Sequence, residues 1–169
     1  MIPTAGPNDA VLAVLATRVG ERLKAAGWML ATAESCTGGW VAKVITDIAG
    51  SSAWFDRGFV TYTNAAKREL LGVDSEVIRL HGAVSEATVR AMAAAALERS
   101  AARITVAISG IAGPGGSTPD KPVGIVWFAW ADGGAGLESA HRLFHGDREA
   151  VRRQAVKFAL EGVLERVGG

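Results

Sequence analysis

Four consecutive side chains near the start of the sequence offer a carboxyl, a hydroxyl, a thiol and a second hydroxyl: Glu34, Ser35, Cys36 and Thr37. Two glycines follow them, Gly38 and Gly39. A hydroxyl beside the backbone N–H groups of a helix start can act as a nucleophile, because those N–H groups favour the negative charge that develops on the attacked oxygen. The alternative interpretation is that Ser35 or Thr37 only caps the helix.

The thiol is a weaker candidate for the nucleophile than the hydroxyl. Cys36 is the single cysteine of the chain, and a nucleophilic cysteine usually needs a histidine as its base. The three histidines lie in segments that do not obviously face this loop: His81, His141 and His145. A single cysteine is most often a small buried hydrophobic residue. For Glu34 the pattern leaves two roles open, orienting the site or pairing with a base elsewhere.

A phenol and an amine form the second group of candidate residues. Tyr62, the only tyrosine, ends a β-type run, and Lys67 follows five positions later. Between them, Asn64 is predicted to cap the next helix. A serine hydroxyl is inert until a base removes its proton, and a lysine kept neutral by burial can be that base, with a phenol as relay. The alternative is a tyrosine at a sheet edge and a solvated lysine.

A glycine-rich loop is the third candidate element. The stretch "SGIAGPGGSTPDKPVG" opens with Ser109 and Gly110 and continues through Gly113, Gly115 and Gly116. Glycines let the backbone approach an anion, and successive N–H groups can cradle it. The loop lacks the GxxxxGK[ST] pattern of a P-loop. It could equally be a plain surface loop, and Arg148 near the last helix start could reach a ligand or be a solvated charge.

Strands and helices alternate along the chain. Apolar residues spaced three or four positions apart predict helices at 10–26, 38–48 and 65–71, with two more opening at Ser85 and Asp147. β-type runs cover 28–33, 58–63, 103–110, 123–131 and 137–145. We predict one α/β domain over 1–169, a three-layer α/β/α sandwich with a mainly parallel mixed sheet. The loop "DGGAG" is too short for a parallel crossover, so one strand should be antiparallel.

Composition narrows the functional classes. The chain has 169 residues and a formal charge of +1, which argues against nucleic acid or an anionic membrane surface as a partner. One cysteine fits a reducing cytoplasm, and no apolar run approaches the roughly 20 residues of a membrane span. We expect a cytoplasmic homo-oligomer that needs no metal and no cofactor. Four tryptophans are predicted in the core or at a subunit interface: Trp40, Trp54, Trp127 and Trp130.

Seven segments, in order from about position 28 to 149, resemble the CinA C-terminal domain family of nicotinamide-nucleotide amidohydrolases. They are "ATAESCTGG", "GSSAWFDRGFVTYTNAAK", "LLGV", "HGAVSE", "ISGIAGPGG", "KPVGIVWFA" and "GDRE". The resemblance implies hydrolysis of the carboxamide of nicotinamide mononucleotide to nicotinic acid mononucleotide and ammonia. We expect the stand-alone form, without the extra N-terminal domain of some members. The alternatives are a nucleotide-binding regulatory module without turnover, or an amidase for another pyridine nucleotide.

The resemblance also implies roles for single residues. Ser35 would be the nucleophile and Lys67 the base, with Tyr62 close to both. Backbone N–H groups of residues 36–39 would hold the oxyanion, and the phosphate would meet the glycine loop, the hydroxyls of Ser109 or Thr63, or Arg148. The expected substrate-binding positions are Cys36, Thr37, Gly38, Gly39, Thr63, Asn64, Ser109, Gly110, Gly113, Gly115, Gly116 and Arg148. Ser117 stands where many members have a third glycine.

Overall fold

The structure is a computed structural model that describes residues 5–134 and 136–168. In chain order its elements are α1 (Asp9–Ala26), β1 (Leu30–Glu34), α2 (Trp40–Thr46), a 3-10 turn (Ser51–Ala53), β2 (Phe55–Val60), α3 (Asn64–Leu71), α4 (Ser75–His81), α5 (Glu86–Glu98), β3 (Ile104–Gly110), β4 (Ile125–Asp132), β5 (Gly136–Leu143) and α6 (Arg148–Arg166). No helix in these two ranges is long and apolar enough to cross a membrane.

The five strands form one mixed sheet in the order β2-β1-β3-β4-β5. Strand β1 pairs in parallel with both β2 and β3, whereas β4 is antiparallel to β3 and to β5. Strand β4 is therefore the one strand that runs against the other four. This confirms the mixed sheet with one antiparallel strand, and the short connection between β4 and β5 is its physical cause.

Helices cover both faces of the sheet, which confirms the three-layer arrangement. One face is apolar and bulky, with Val106, Ile108 and Phe128 packed against α1, α2 and α6. The other face carries small side chains such as Ala107 and Ala129, packed against the alanine-rich helix α5. Successive strand residues point to opposite faces, so this division follows from the alternation of large and small residues along β3 and β4. Of the four tryptophans, Trp54 and Trp130 are buried, while Trp40 and Trp127 pack against the two cores from their edges.

Side-chain caps mark most helix starts. Asn8 caps α1, and Asp147 caps α6 where the sequence predicts that helix to open. The prediction for α3 is wrong by one residue: Thr63 Oγ1 accepts a hydrogen bond from Ala66 N at 3.0 Å, so Thr63 is the cap and Asn64 is the first helical residue. The hydroxyl oxygen of Thr63 thus serves as an acceptor within the helix start.

The three parallel strands bring their carboxyl ends to one edge of the sheet. The backbone N–H of Ser35, just after β1, donates to Ile108 O of β3 at 3.0 Å. The N–H of Thr61, just after β2, donates to Glu34 O at 2.8 Å. The segments that follow β1, β2 and β3 therefore lie side by side, at the edge where ligands bind in open α/β sheets.

Candidate active site

Ser35 and Lys67 form a buried pair at this edge. The Nζ atom of Lys67 lies 3.0 Å from Ser35 Oγ, although 32 positions separate the two residues. The exposed fraction is 1% for Lys67 and 8% for Ser35. In the described chain, the other hydrogen bonds of Nζ go to the carbonyl oxygens of Thr61 at 3.0 Å and Tyr62 at 3.3 Å. All three of these partners are uncharged.

Burial lowers the pKa of Lys67 below its ordinary value, since a buried ammonium loses its hydration. The partner set suits the neutral amine. A neutral amine has two N–H bonds and one lone pair: two carbonyls can accept the N–H bonds, and the lone pair can face the Ser35 hydroxyl. Within α3, Lys67 and Leu71 are the buried residues, so the helix itself turns this lysine inward. The pair has the geometry of a nucleophile and its base.

Glu34 lies fully buried beneath the turn and caps α2. Its carboxylate accepts hydrogen bonds from Thr37 Oγ1 at 2.7 Å, Val41 N at 2.9 Å and Ala42 N at 3.1 Å. Burial raises the pKa of Glu34, while these hydrogen bonds oppose the rise. The N–H groups of Val41 and Ala42 are therefore already bonded to the Glu34 carboxyl and are not available to a substrate anion. Glu34, rather than Ser35 or Thr37, is the helix cap.

At three further expected binding positions, Thr37, Gly38 and Gly39, the residue type serves the turn. The hydroxyl of Thr37 is directed at Glu34, and Thr37 is fully buried. Gly38 and Gly39 have φ angles of 59° and 92°, in the left-handed region that glycine tolerates, and Gly38 N donates to Ser35 O at 3.0 Å. These residues shape the backbone around the nucleophile. The turn therefore explains why a buried threonine and two glycines occupy these positions.

Cys36 lines the cleft, but its thiol is poorly suited to nucleophilic attack. Burial raises the pKa of Cys36 to about 12, and the nearby Glu34 carboxylate adds to the rise. The reactive form of cysteine is the thiolate, and this thiol stays protonated at neutral pH. The two candidate nucleophiles of the turn are the Ser35 hydroxyl and the Cys36 thiol. Of these, the hydroxyl is the one with a base beside it, Lys67.

The pair opens into a cleft of about 240 Å³. Eight of the expected site residues line it: Ser35, Cys36, Tyr62, Asn64, Lys67, Ser109, Gly110 and Arg148. Three apolar residues that sequence reasoning did not single out, Ala83, Val84 and Ala112, complete the lining. Ala83 and Val84 belong to the "HGAVSE" segment, and membership of that motif is the sequence signal that could have placed them at the site. Gly113, Gly115 and Gly116 are not part of the lining.

Arg148 ties the glycine loop to Tyr62 at the mouth of the cleft. Its Nη1 donates to Gly113 O and its Nη2 donates to Tyr62 Oη, both at 2.9 Å. The side chain of Tyr62 is 56% exposed. This corrects the expectation that the phenol lies against the nucleophile and base: it is the main-chain carbonyl of Tyr62 that contacts Ser35 and Lys67, at 3.4 and 3.3 Å. The phenol instead orients the guanidinium.

Other features of the described residues offer no comparable chemistry. A larger cleft of about 490 Å³ lies between α1, α2 and the start of α6. Its charged side chains pair with one another, Lys43 with Asp47 and Arg153 with Asp9 and Glu149. Within the two described ranges, no group of three or more His, Cys, Asp or Glu side chains could hold a metal ion.

Known proteins resemble this chain over nearly its whole length. Residues 12–167 match the family model described as the CinA C-terminal domain. The chain is 58% identical over 160 residues to a protein of Escherichia coli (strain K12) named nicotinamide-nucleotide amidohydrolase PncC, covering 94% of this chain and 96% of that protein. A Pseudomonas putida protein of the same name is 53% identical over 154 residues, covering 91% and 96%.

Solved structures share the fold over nearly the whole chain. The competence/damage inducible protein CihA from Agrobacterium tumefaciens superposes with a TM-score of 0.89 at 45% identity, covering 95% of this chain and 96% of its own. A CinA superfamily protein from Klebsiella pneumoniae gives the same TM-score and identity, covering 92% and 97%.

Proposed function

The chain belongs to the CinA C-terminal domain family, and from this premise we propose that it hydrolyses the carboxamide of nicotinamide mononucleotide to nicotinic acid mononucleotide and ammonia. Two relatives more than 50% identical to the chain carry the name nicotinamide-nucleotide amidohydrolase. The observation that carries the proposal is the buried Ser35–Lys67 pair at 3.0 Å, in which the hydrogen-bond partners of the amine within residues 5–134 and 136–168 are uncharged.

In the first half of the reaction Ser35 Oγ attacks the carboxamide carbon. Lys67 Nζ acts in its neutral form, which burial favours by lowering the pKa of the amine, and takes the hydroxyl proton as the bond forms. The oxyanion is held by backbone N–H groups of the turn after Ser35, with Cys36 and Thr37 as the donors, since Gly38 N already donates to Ser35 O. Each such donor contributes roughly 2.7–4 kcal/mol to the transition state.

The tetrahedral intermediate then collapses to an acyl-enzyme. The ammonium of Lys67 gives its proton to the departing nitrogen, which leaves as ammonia, and the amine returns to its neutral form. In the second half, water takes the place of ammonia: Lys67 removes a proton from it, the hydroxide attacks the ester carbon, and Ser35 leaves with the proton from Lys67. The base therefore ends each turnover neutral, ready for another substrate.

The phosphate of the substrate has a cation to meet at the mouth of the cleft. The hydrogen bonds of Arg148 go to Gly113 O and Tyr62 Oη. Both acceptors are uncharged, so they do not neutralise the positive charge of the guanidinium. Asn64 lies on the same lining and adds an amide that can donate to phosphate. A dianion held there presents the carboxamide to Ser35 in one orientation.

A nucleotide-binding module without turnover would explain Arg148 and the glycine loop equally well. It would have no use for a buried lysine beside a serine. Enclosing an amine at 1% exposure is costly, and substrate binding at the rim does not require it. The buried amine therefore favours the enzyme. We place this enzyme in the cytoplasm, a location supported by the single cysteine; assembly into homo-oligomers stays a prediction.

The proposal is tested with the purified protein and nicotinamide mononucleotide. We expect ammonia and nicotinic acid mononucleotide to appear in equal amounts, with no added metal. Reaction in the presence of a chelator should proceed at the same rate. Absence of both products at substrate concentrations up to the millimolar range would overturn the proposed activity, and release of ammonia from a different pyridine nucleotide alone would reassign the substrate.

A further inference from the structure

Arg152 of α6 binds the main chain of the turn that carries Ser35. Its Nε donates to Cys36 O at 3.0 Å and its Nη2 donates to Thr37 O at 3.2 Å. These two carbonyls belong to the two residues after the nucleophile, and hence to the second and third peptide units that follow Ser35. More than 110 positions separate Arg152 from the turn, so this contact is a tertiary one that fixes the turn against α6.

The two hydrogen bonds set the direction of the N–H groups in the same peptide units. In a trans peptide the C=O and the following N–H point in opposite directions. Because the carbonyl of Cys36 faces Arg152, the N–H of Thr37 faces away from it. The next unit shows the same arrangement: the carbonyl of Thr37 faces Arg152, and the N–H of Gly38 points back to Ser35 O at 3.0 Å.

We propose that Arg152 is a positioning residue for the oxyanion hole of this amidohydrolase. It keeps the carbonyls of Cys36 and Thr37 turned away from the cleft and the Thr37 N–H turned toward the reacting carbon. The inference rests on the proposed function, in which Ser35 attacks a carboxamide. Arg152 itself does not touch the substrate.

Two further contacts agree with a fixed guanidinium. Arg152 lies over the indole of Trp40, the first residue of α2, with its guanidinium carbon 5.0 Å from the ring centroid. Gly38 leaves the room for it, because a Cβ atom at this position would lie 3.3 Å from Arg152 Nη2. In the part of the chain that the structure describes, the hydrogen bonds of Arg152 go to these two carbonyls and not to a carboxylate.

The neighbouring residue provides a matched control. Arg153 lies over the same Trp40 ring, at 4.9 Å, but its hydrogen bonds go to Asp9, Glu149 and Pro7 O. Replacing either arginine by methionine removes one positive charge and one guanidinium from the indole. Only the Arg152 variant loses the two hydrogen bonds to the turn.

The experiment compares Arg152→Met, Arg152→Lys and Arg153→Met with the parent enzyme on nicotinamide mononucleotide. We expect Arg152→Met to lower kcat about 100- to 1000-fold, the range for losing one oxyanion donor, with KM within about threefold. Arg152→Lys keeps the charge and can restore one hydrogen bond, so its kcat should be intermediate. Arg153→Met should keep kcat within about threefold of the parent.

A second measurement separates this inference from the proposed activity. A fluorophosphonate probe reacts with an activated serine whatever the natural substrate is, and the phosphoryl oxygen occupies the oxyanion hole. Its rate of reaction with Ser35 should fall in Arg152→Met to the same degree as kcat, even if nicotinamide mononucleotide proves not to be the substrate. Thermal melting of each variant shows whether it is folded, and Arg152→Lys replaces Arg152→Met if the latter is not.

Three results would overturn the inference. The first is an unchanged kcat and probe rate in a folded Arg152→Met protein. The second is a loss confined to KM, which would make Arg152 a substrate-binding residue. The third is an equal loss in Arg153→Met, which would mean that packing on Trp40, and not the hydrogen bonds to the turn, is what matters.

Discussion

The floor and the rim of the cleft are built in different ways. The floor, defined by Ser35 and Lys67, is at most 8% exposed and lies above the buried Glu34. The hydrogen bonds of its polar groups are made within the protein. The rim, defined by Tyr62, Asn64 and Arg148, is exposed to solvent. Among the described residues, the hydrogen bonds of the Arg148 guanidinium go to uncharged oxygens.

This difference assigns chemistry to the floor and recognition to the rim. In a buried site a lysine shifts toward its neutral form and hydrogen bonds strengthen, both of which favour activation of a hydroxyl. An exposed arginine keeps its charge and can meet a phosphate that arrives from solvent. Changes in the floor should therefore abolish turnover, whereas changes in the rim should alter which substrates are used and how tightly they bind.

The largest effect is expected for Ser35→Ala. Removing the attacking oxygen eliminates the covalent route, so kcat should fall by roughly 10³- to 10⁶-fold while the turn and the rim stay in place. Ammonia release from nicotinamide mononucleotide measures the loss, and substrate binding to the variant, followed by calorimetry, should persist.

Cys36→Ala is the matched control for Ser35→Ala, because it alters the adjacent residue in the same cleft. It should keep most of the activity, since burial raises the pKa of the thiol to about 12. If Cys36→Ala loses as much activity as Ser35→Ala, the nucleophile has been assigned to the wrong atom.

A smaller effect is expected from changing the rim. Nicotinamide mononucleotide should be used on the order of a thousandfold more efficiently than nicotinamide riboside, because two or three charge-assisted contacts to phosphate contribute roughly 1.5–3 kcal/mol each. In Arg148→Met this preference should shrink to about one tenth, or less, of its size in the parent. The ratio of kcat/KM for the two substrates measures it.

Arg79→Met serves as the control for Arg148→Met, because Arg79 is an exposed arginine paired with Glu76 on α4, away from the cleft lining. It should leave the substrate preference unchanged. Equal efficiency of the parent enzyme on the riboside and the mononucleotide would contradict the assignment of recognition to the rim.

The smallest expected effect concerns the support beneath the floor. Glu34→Gln keeps the shape of the side chain but replaces one acceptor oxygen by an NH₂ group, which cannot accept from the N–H groups of α2. At least one buried donor then lacks a partner, at a cost of about 1–3 kcal/mol. The free energy of unfolding, measured by denaturant titration, should fall by this amount.

Glu76→Gln, a change at an exposed helix position, is the control for Glu34→Gln and should leave stability nearly unchanged. A Glu34→Gln protein as stable as the parent would show that the carboxylate is not needed to hold the turn.

Much of the fold follows from sequence patterns that are local. The alternation of strands and helices, the short β4–β5 connection and the caps at Asn8 and Asp147 are each decided within a few residues. The start of β2 at Phe55 was missed because pairing with β1 determines it. The cap of α3 was misplaced by one residue because Thr63 and Asn64 are both good caps, and only the backbone geometry chooses between them.

The candidate site was predictable in its residue types and less so in its contacts. Lys67 could be placed beside Ser35 only through the resemblance, although its position one helical turn before the buried Leu71 was a local signal of burial. The roles of Glu34 and Thr37 depend on side chains that meet beneath the turn, and the role of Arg152 depends on α6, at the other end of the chain. Such long-range contacts leave no mark in the spacing of residues.

The dependence of kcat/KM on pH, measured for the parent and for Lys67→Arg, tests the central claim most directly. Because burial lowers the pKa of Lys67 and only the neutral amine can accept the Ser35 proton, the rate should rise with pH through an apparent pKa below the ordinary lysine value of about 10.4. Arginine does not lose its proton in proteins, so Lys67→Arg should be nearly inactive at every pH. Full activity in Lys67→Arg, or a rate that reaches its plateau only above pH 10, would contradict a neutral lysine as the base.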